Sequence, residues 1–268
     1  MTRIPQTFEH VRQEKRAALI GYITAGDPDK EKSLEIIDAA CSAGLDLLEI
    51  GIPFSDPTAD GAVIQRAAGR AIRAGMTLEQ GIDFVRKLRQ KHELPIVLFS
   101  YFNPIFIFGA ERFIREAVSA GVDGVLVVDL PNEQSNELMQ YIRKPDELDF
   151  IRLIAPTTSI ERRNIILQQA SGFVYIISRH GVTGGDNNRI DWKGLEHEIT
   201  AMRQETSIPL CIGFGISTLE DVRSAGTIAD GIILGSAFQR RIEERPDIAK
   251  DEITEFIRQM RKEIKTGN

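Results

Sequence analysis

The chain alternates between short apolar runs, rich in β-branched residues, and longer stretches with the periodicity of an amphipathic helix. In residues 33–43, for example, Ile36, Ile37 and Ala40 lie on one helical face while Glu35 points away from it. Strands that alternate with helices predict βαβ units and a parallel sheet. The eight predicted strands are residues 18–23, 45–51, 95–101, 124–129, 150–155, 173–178, 209–213 and 231–235.

Eight strand–helix units fit a closed barrel better than an open sheet. The chain has 268 residues, and one such barrel typically takes ~250. Because no low-complexity linker divides the sequence, one domain over residues 1–268 is the simpler interpretation. The pattern therefore predicts an α/β fold, a single (β/α)₈ TIM barrel with an extra N-terminal helix at residues 7–14. The other predicted helices are residues 33–43, 77–92, 109–121, 133–144, 159–170, 192–205, 217–225 and 246–264.

The formal net charge is −6 and no block of basic residues is present, which argues against nucleic acid or an anionic membrane as the main partner. Cys41 and Cys211 match no Cys-x-x-Cys pattern, so neither a disulfide framework nor a zinc ribbon is expected. Residues 1–16 lack the apolar core of a signal peptide, and no apolar run reaches the ~18 residues of a membrane span. We therefore expect a soluble protein of the cytoplasm.

The catalytic groups of a TIM barrel lie at the carboxyl ends of its strands. At the end of the second predicted strand, Glu49 shares a face with Leu45 and Leu47, so it is the last inward position if those leucines fill the barrel. A partly desolvated carboxyl group there has a raised pKa that suits acid/base work. Asp56 and Asp60 follow in a proline-containing loop. The alternative is that Glu49 is a paired structural carboxylate and that the aspartates form turns or caps.

Glycines follow both of the last two predicted strands, with Gly213 and Gly215 after the seventh and Gly235, next to Ser236, after the eighth. Glycine lets backbone N–H groups approach an anion, and a helix N-terminus adds a favourable dipole. Phosphate sites after these two strands are frequent in barrels, so a phosphate site is predicted here. The alternative is that these glycines only allow tight turns.

The loop after the sixth predicted strand, residues 179–189, is long, polar and Gly-rich, as a mobile lid would be, although an idle connection has the same composition. His180 lies in this loop, but a flexible loop holds a catalytic base poorly. The histidines show no metal-ligand spacing, so no metal is indicated. Tyr101 and Tyr175 belong to strands whose ends reach the barrel mouth, and Asp129 is placed to orient a neighbour or a ligand hydroxyl.

Taken together, these motifs resemble the tryptophan synthase alpha-subunit family. The segment LEIGIPFSDP at residues 48–57, followed by Ala59, Asp60 and Gly61, is similar to the characteristic motif of that family. The resemblance continues in order over nearly the whole chain. The other similar segments are GYITAGDP at 21–28, YFNP at 101–104, DLP at 129–131, APTT at 155–158, SR at 178–179 with GVTG at 181–184, GFGIS at 213–217 and GSA at 235–237.

The resemblance implies retro-aldol cleavage of indole-3-glycerol phosphate to indole and glyceraldehyde 3-phosphate, in the last steps of L-tryptophan biosynthesis. It implies that Glu49 protonates indole C3 and removes the glycerol hydroxyl proton, and that Asp60 stabilises positive charge at the indole N–H. Tyr175 would support Glu49, and Thr183 would belong to the closing lid. The other implied site residues are Gly184, Gly213, Gly215, Gly235 and Ser236 for the phosphate group and Tyr22, Ile64, Tyr101 and Leu126 for the indole pocket, with Asp129 beside it.

The resemblance also implies that the chain needs no cofactor of its own and works with a β subunit that carries pyridoxal phosphate, in an α₂β₂ tetramer. Indole would pass to that subunit through a tunnel, and the loop around Asp56 would lie near the interface. Three positions depart from the family pattern: Thr58 replaces a frequent leucine, Ala62 a frequent proline and His180 a small residue. Because Thr58 and Ala62 fall in the coupling loop, they put the strength of coupling in question rather than the reaction.

Three alternatives stay open. A stand-alone indole-3-glycerol phosphate lyase would use the same residues and turn over rapidly without a partner. Another phosphate-binding barrel, such as an isomerase or aldolase of sugar phosphates, is a second alternative; a Schiff-base aldolase would need a lysine at a strand end, and no predicted strand ends in one. A catalytically silent subunit, kept to activate its partner, would be expected to lose Glu49 or Asp60, and both are present.

Overall fold

The protein is described by a computed structural model over residues 2–144, 146–178 and 190–264. Within these residues, nine strands, all parallel, form one sheet. No end of a predicted strand differs from the observed one by more than two residues. The strands are β1 Ala18–Thr24, β2 Leu47–Gly51, β3 Ile96–Ser100, β4 Gly124–Val127, β5 Asp149–Phe150, β6 Arg152–Ile154, β7 Val174–Ile177, β8 Leu210–Gly213 and β9 Gly231–Leu234.

The sheet closes into a nearly complete barrel through β5 and β6. The spatial order is β5-β4-β3-β2-β1-β9-β8-β7-β6, so these two short strands lie at the edges of the sheet. They are consecutive in the chain and separated only by Ile151, whose N–H donates to the carbonyl of Val125 at 2.9 Å. β5 pairs with β4 and β6 pairs with β7, so one chain segment completes both sides. This segment is the fifth predicted strand, and the predicted TIM barrel is confirmed.

Helices surround the barrel, and within the described residues none is long and apolar enough to cross a membrane. A 3₁₀ turn at Asn132–Gln134 and the four-residue α7 replace the longer helix predicted at 133–144. The helices are α1 Ile4–Gln13, α2 Lys30–Ala43, α3 Ala62–Arg73, α4 Leu78–Leu88, α5 Phe102–Phe108, α6 Ala110–Ala120, α7 Asn136–Met139, α8 Ile160–Gln169, α9 Trp192–Met202, α10 Leu219–Ile228, α11 Ser236–Glu244 and α12 Ala249–Glu263.

Three of these helices, α3, α5 and α11, were not predicted. The buried face of α3 consists of alanines, Ala67, Ala68 and Ala71, which give only a weak apolar periodicity. In α5, Pro104 and the preceding asparagine favour a turn by sequence alone, although proline is well tolerated in the first turn of a helix. α11 follows β9 after one residue, so its apolar positions merge with those of the strand.

Buried side chains form two layers. Inward residues of the strands, including Leu47, Val97 and Leu126, fill the barrel interior, and outward residues such as Leu48 pack against the helices. Leu45 belongs to the outer layer, so the expectation that it shares the inward face of Glu49 is wrong. The reason is local: β2 begins only at Leu47, and the turn before it breaks the strand alternation.

Helix α1 closes the amino-terminal end of the barrel. Its buried residues Ile4, Phe8 and Val11 join the interior cluster, and the Phe8 ring lies 6.0 Å from that of Phe173. The extra N-terminal helix is therefore confirmed, although it begins at Ile4. Apolar side chains of α1 therefore plug this end of the barrel.

Helices α3 and α11 are joined by an ion-pair cluster, here called the α3–α11 brace, made of Asp27, Arg66, Arg70 and Glu243. Arg70 donates to the two carboxylate oxygens of the fully buried Asp27 at 2.7 and 2.9 Å and to Glu243 at 2.7 Å. Arg66 adds a bidentate pair with Glu243 at 2.7 and 2.8 Å. Bidentate arginine–carboxylate pairs fix geometry as well as charge, so the brace sets the position of one helix against the other.

Candidate active site

A cavity of about 410 Å³ opens at the carboxyl ends of the strands. Its walls come from β1, β3, β7 and β9, from the loop before α3 and from the loops that follow β8 and β9. Small-molecule sites typically lie in such concave places. The lining residues are Tyr22, Asp60, Gly61, Ala62, Val63, Ile64, Phe99, Tyr175, Phe214, Gly215, Ile216, Ser217, Ile233, Gly235, Ser236 and Arg240.

Glu49 lies inside the barrel beside this cavity. In the sheet register it is level with Tyr22 of β1 and Val97 of β3, both of which point inward. Its side chain is fully buried, and neither carboxyl oxygen has a hydrogen-bond partner. Burial raises the pKa of Glu49 from 4.5 to about 8, because an ionised carboxylate is poorly solvated there. At neutral pH this group is mostly protonated and can act as an acid.

Two tyrosines face Glu49 across the interior, and each occupies space that a glycine leaves free. A Cβ atom on Gly213 would lie 2.1 Å from the hydroxyl oxygen of Tyr175, and one on Gly51 would lie 2.2 Å from that of Tyr22. Burial raises the pKa of both phenols well above the ordinary value, and the charge of Glu49 adds to this shift. Tyr175 is thus placed close to Glu49 but makes no hydrogen bond with it. Its supporting role stays a prediction.

Asp60 reaches the cavity wall from the loop after β2. Its backbone N–H donates to the carbonyl of Pro57 at 3.0 Å, and its own carbonyl accepts from the Gln65 side chain at 2.9 Å. The Tyr101 hydroxyl donates to Oδ2 of Asp60 at 3.0 Å and accepts from the Ala59 N–H at 3.0 Å. These contacts hold the carboxylate in one position.

The electrostatics of Asp60 differ from those of Glu49. Burial raises the pKa of Asp60 from 3.8 to about 6, and the hydrogen bond from Tyr101 opposes part of this rise. At neutral pH Asp60 is therefore mostly ionised while Glu49 is mostly protonated. Two carboxyl groups whose surroundings separate their pKa values are the pattern of an acid paired with an electrostatic stabiliser.

The predicted phosphate residues fall into two groups. Gly215, Gly235 and Ser236 line the cavity, and Ser236 is the first residue of α11, where backbone N–H groups point out of the helix. Gly215 has a left-handed backbone with φ of 85°. Gly213 lies at the end of β8 but is not among the lining residues, and its lack of a side chain makes room for Tyr175 instead. The binding roles of these residues stay predictions.

The predicted indole-pocket residues are also divided. Tyr22 and Ile64 line the cavity, whereas Leu126 is fully buried in the interior cluster and Tyr101 is engaged with Asp60. Asp129 is exposed and accepts a hydrogen bond from the N–H of Phe102 at 2.7 Å, which caps the start of α5.

The sequence did not single out several lining residues, namely Phe99, Phe214, Ser217, Ile233 and Arg240. Strand periodicity could have identified Phe99 and Ile233, because both occupy inward positions near strand ends. Phe214 has φ of 69°, a left-handed value that is uncommon for a residue with a side chain. The hydroxyl of Ser178 donates to its carbonyl and holds the loop in this shape.

Some expected residues lie elsewhere. Thr183, Gly184 and His180 are outside the described residues. Asp56 is exposed and accepts a hydrogen bond from the Ser55 hydroxyl at 2.5 Å, and Thr58, two residues later, is also exposed. Ala62 lines the cavity as the first residue of α3.

A second cavity, of about 460 Å³, lies at the opposite, amino-terminal end of the barrel. Its walls include Phe8 and Val11 of α1 together with Arg16, Arg203 and Asp230. Arg16 pairs with Asp46 and Arg203 pairs with Asp230, so these charges serve contacts within the fold. The cavity with Asp60 on its wall and Glu49 beside it is the better candidate, although it is the smaller of the two.

Several known proteins are similar to this chain over most of its length. A family model described as tryptophan synthase alpha chain matches residues 8–267. A protein of Desulfosudis oleivorans named tryptophan synthase alpha chain is 49% identical over 252 residues, which cover 93% of this chain and 94% of the relative. A protein of the same name from Desulfatibacillum aliphaticivorans is 48% identical over 244 residues, with 91% of each chain covered.

Solved structures give the same result. The chain is similar to a crystal structure of tryptophan synthase subunit alpha from Legionella pneumophila, with a TM-score of 0.88, 35% identity and 98% coverage of each chain. It is also similar to a chain in a structure of Mycobacterium tuberculosis tryptophan synthase, with a TM-score of 0.89, 28% identity and 99% coverage of both.

Proposed function

Because this chain belongs to the tryptophan synthase alpha chain family, we propose that it cleaves indole-3-glycerol phosphate to indole and glyceraldehyde 3-phosphate with Glu49 and Asp60. It is a carbon–carbon lyase of L-tryptophan biosynthesis. The observation that carries the assignment of residues is the contrast between two buried carboxyl groups at one cavity. One is protonated and the other ionised at neutral pH.

The chemistry begins with a proton transfer. The carboxyl group of Glu49 gives its proton to indole C3, which leaves a positive charge spread over C2 and N1 of the ring. The carboxylate of Asp60 accepts a hydrogen bond from the ring N–H. This interaction becomes stronger as the positive charge on the ring develops. A fixed anion that interacts more strongly with the transition state than with the ground state lowers the barrier.

The second step breaks the carbon–carbon bond. The Glu49 carboxylate takes the proton of the hydroxyl group next to indole C3, and the oxygen electrons form the aldehyde carbonyl. The electron pair of the broken bond returns to the ring and restores its aromaticity. Glu49 ends protonated, as it began, so the cycle needs no other acid or base and no cofactor in this chain.

The cavity is proposed to orient the substrate by its two ends. The indole ring lies among Tyr22, Phe99 and Ile64, while the phosphate group lies at Gly215, Gly235 and the start of α11. The Tyr22 and Phe99 rings meet edge to face with centroids 5.2 Å apart, which gives one firm wall for a flat aromatic ring.

The family works with a β subunit, and we propose that helix α5 and the loop around Asp56 form the face that meets it. Both follow strand ends at the mouth of the barrel, and the rings of Phe54 and Tyr101 join them with centroids 5.1 Å apart. Phe106 and Ile107 of α5 are 68% and 77% exposed, which is unusual for adjacent large apolar side chains. A partner that covers them would explain this exposure.

An α₂β₂ assembly, with pyridoxal phosphate only in the β subunit and transfer of indole through a tunnel, is the proposed working form. A cytoplasmic location and a single domain over the whole chain complete the proposal. The two described cysteines, Cys41 and Cys211, are unpaired and buried, which suits a reducing compartment.

The test is indole release from indole-3-glycerol phosphate by the purified chain, alone and with a β subunit. The Glu49→Gln and Asp60→Asn variants each should lose activity by about 10²-fold or more, as expected for an acid/base group and a charge stabiliser. Activity that rises with the β subunit supports the proposed assembly. Cleavage that does not depend on Glu49 would overturn the mechanism, and absence of cleavage under both conditions would favour a silent activator.

A further inference from the structure

We propose that Arg240 binds the phosphate group of the substrate through its side chain and so sets the preference for a phosphorylated substrate. This inference rests on the proposed function and adds a charged side chain to a phosphate site otherwise built from backbone and Ser236. Arg240 was not among the residues predicted from the sequence.

The position of Arg240 on α11 directs it toward the phosphate end. Arg240 follows Ser236 by four residues, so the two side chains lie on the same face of the helix. Long side chains on a helix lean toward its N-terminus, which brings the guanidinium back over the first turn. Both residues line the cavity, in agreement with this geometry.

The charge balance of the cavity calls for a cation. Asp60 on the wall is mostly ionised at neutral pH, and a phosphate monoester adds about −1.5 to −2 further negative charges at pH 7. A helix N-terminus contributes the equivalent of only about +0.5 charge. Among the described lining residues, Arg240 is the one with a cationic side chain. It therefore supplies the positive charge that the backbone donors lack.

Arg240 is also available, unlike the arginines around it. Arg66 and Arg70 are held by Glu243 in the brace. Arg241 donates to the Ala237 carbonyl at 2.7 Å and lies over the Phe256 ring at 3.6 Å. Within residues 2–144, 146–178 and 190–264, no ion pair, hydrogen bond or ring contact engages Arg240, whose side chain is exposed. Such an exposed guanidinium at the rim of the cavity can bind an anion without losing an existing interaction.

The test compares Arg240→Gln and Arg240→Lys with the wild type and with Arg258→Gln. Arg258 is exposed on α12 and does not line the cavity, so its variant removes the same charge from a distant place. We expect Arg240→Gln to raise KM for indole-3-glycerol phosphate about tenfold with kcat changed less than about twofold, as for the loss of one charge-assisted hydrogen bond. Arg240→Lys should recover part of this loss. Indole-3-glycerol, which lacks the phosphate, should be cleaved equally by all variants.

Calorimetric binding of glycerol 3-phosphate separates this inference from the proposed function, because it needs no turnover. The dissociation constant should rise about tenfold in Arg240→Gln and stay at the wild-type value in Arg258→Gln, with a weaker salt dependence in the former. Unchanged binding in a folded Arg240→Gln variant, checked by circular dichroism, would overturn the role of Arg240 even if cleavage is normal. If the wild type binds glycerol 3-phosphate with the expected dependence on Arg240 but does not cleave indole-3-glycerol phosphate, the result would instead count against the proposed reaction alone.

Discussion

The hydroxyl of Tyr101 donates a hydrogen bond to Oδ2 of Asp60 across 3.0 Å, and the Tyr101 hydroxyl oxygen in turn accepts a hydrogen bond from the Ala59 N–H. Tyr101 is the N-cap of α5, while Asp60 lies in the loop before α3. The Tyr101 side chain therefore connects the Asp60 carboxylate to helix α5, which carries the exposed apolar residues Phe106 and Ile107.

Removal of this hydroxyl in Tyr101→Phe should raise the pKa of Asp60, because the lost hydrogen bond favours its ionised form. We expect the acidic limb of the kcat/KM profile to move to higher pH and cleavage at pH 7 to fall about tenfold. The Phe54 contact is retained, since the ring stays. A pH series of indole release measures both effects, and an unmoved acidic limb would show that the hydrogen bond does not control Asp60.

The wild-type profile of kcat/KM should be bell-shaped. Activity should rise as Asp60 ionises, with a pKa of about 6, and fall as Glu49 loses its proton, with a pKa of about 8. Because a phosphate monoester also titrates near pH 6, Asp60→Asn provides the control for the acidic limb. If the limb persists unchanged in that variant, it belongs to the substrate rather than to Asp60.

We expect the buried Glu49 side chain to lower the free energy of unfolding of the wild-type protein. Its pKa is raised from 4.5 to about 8, so between these values the unfolded chain ionises while the folded protein keeps the proton. Stability is therefore lost as pH rises through this window. Glu49→Met should abolish cleavage and raise the free energy of unfolding by about 1–3 kcal/mol, since a buried group without a hydrogen bond is removed.

Urea unfolding at pH 5 and at pH 8 measures this effect, and the advantage of Glu49→Met should be larger at pH 8. Leu47→Met changes a neighbouring inward position of the same strand without altering charge, so its effect should not depend on pH. A Glu49→Met variant that is less stable than the wild type at both pH values would contradict the unsatisfied state of Glu49.

Gly213→Ala should destabilise the protein by about 1–3 kcal/mol through overpacking. The added Cβ would lie 2.1 Å from the Tyr175 hydroxyl oxygen and 2.4 Å from its Cζ, so the ring must move. Shortening the partner, in the double variant with Tyr175→Val, should recover much of the loss. Gly69→Ala, whose Cβ meets only Arg73 at 3.4 Å, is the control and should be tolerated. Denaturant unfolding of the wild type, Gly213→Ala, Tyr175→Val and the double variant tests whether the two positions are coupled.

The sequence was enough to predict the barrel because strand periodicity and helical periodicity alternate cleanly along it. It was less informative for α3, whose buried face is made of alanines, and for Leu45, whose side depends on where the strand begins. Both depend on a boundary or on packing, which periodicity does not encode.

For the site, the motifs identified the two residues that we propose to carry the reaction, but not their surroundings. The lack of a hydrogen-bond partner for Glu49 and the hydrogen bond from Tyr101 to Asp60 both depend on how segments far apart in the chain come together. Arg240 was not predicted because it lies four positions after Ser236, and only a helix that begins at Ser236 places it at the cavity.

The α3–α11 brace has a consequence for the size of molecule that the cavity accepts. Helix α3 follows directly on the loop of Asp60, and α11 begins at Ser236, so Arg66, Arg70 and Glu243 hold the two helices at a set separation. With the substrate placed as proposed, the brace acts as a molecular ruler whose ends lie at the ring nitrogen and at the phosphate group. A substrate whose chain between ring and phosphate is one carbon shorter or longer can reach one end of the ruler but not both.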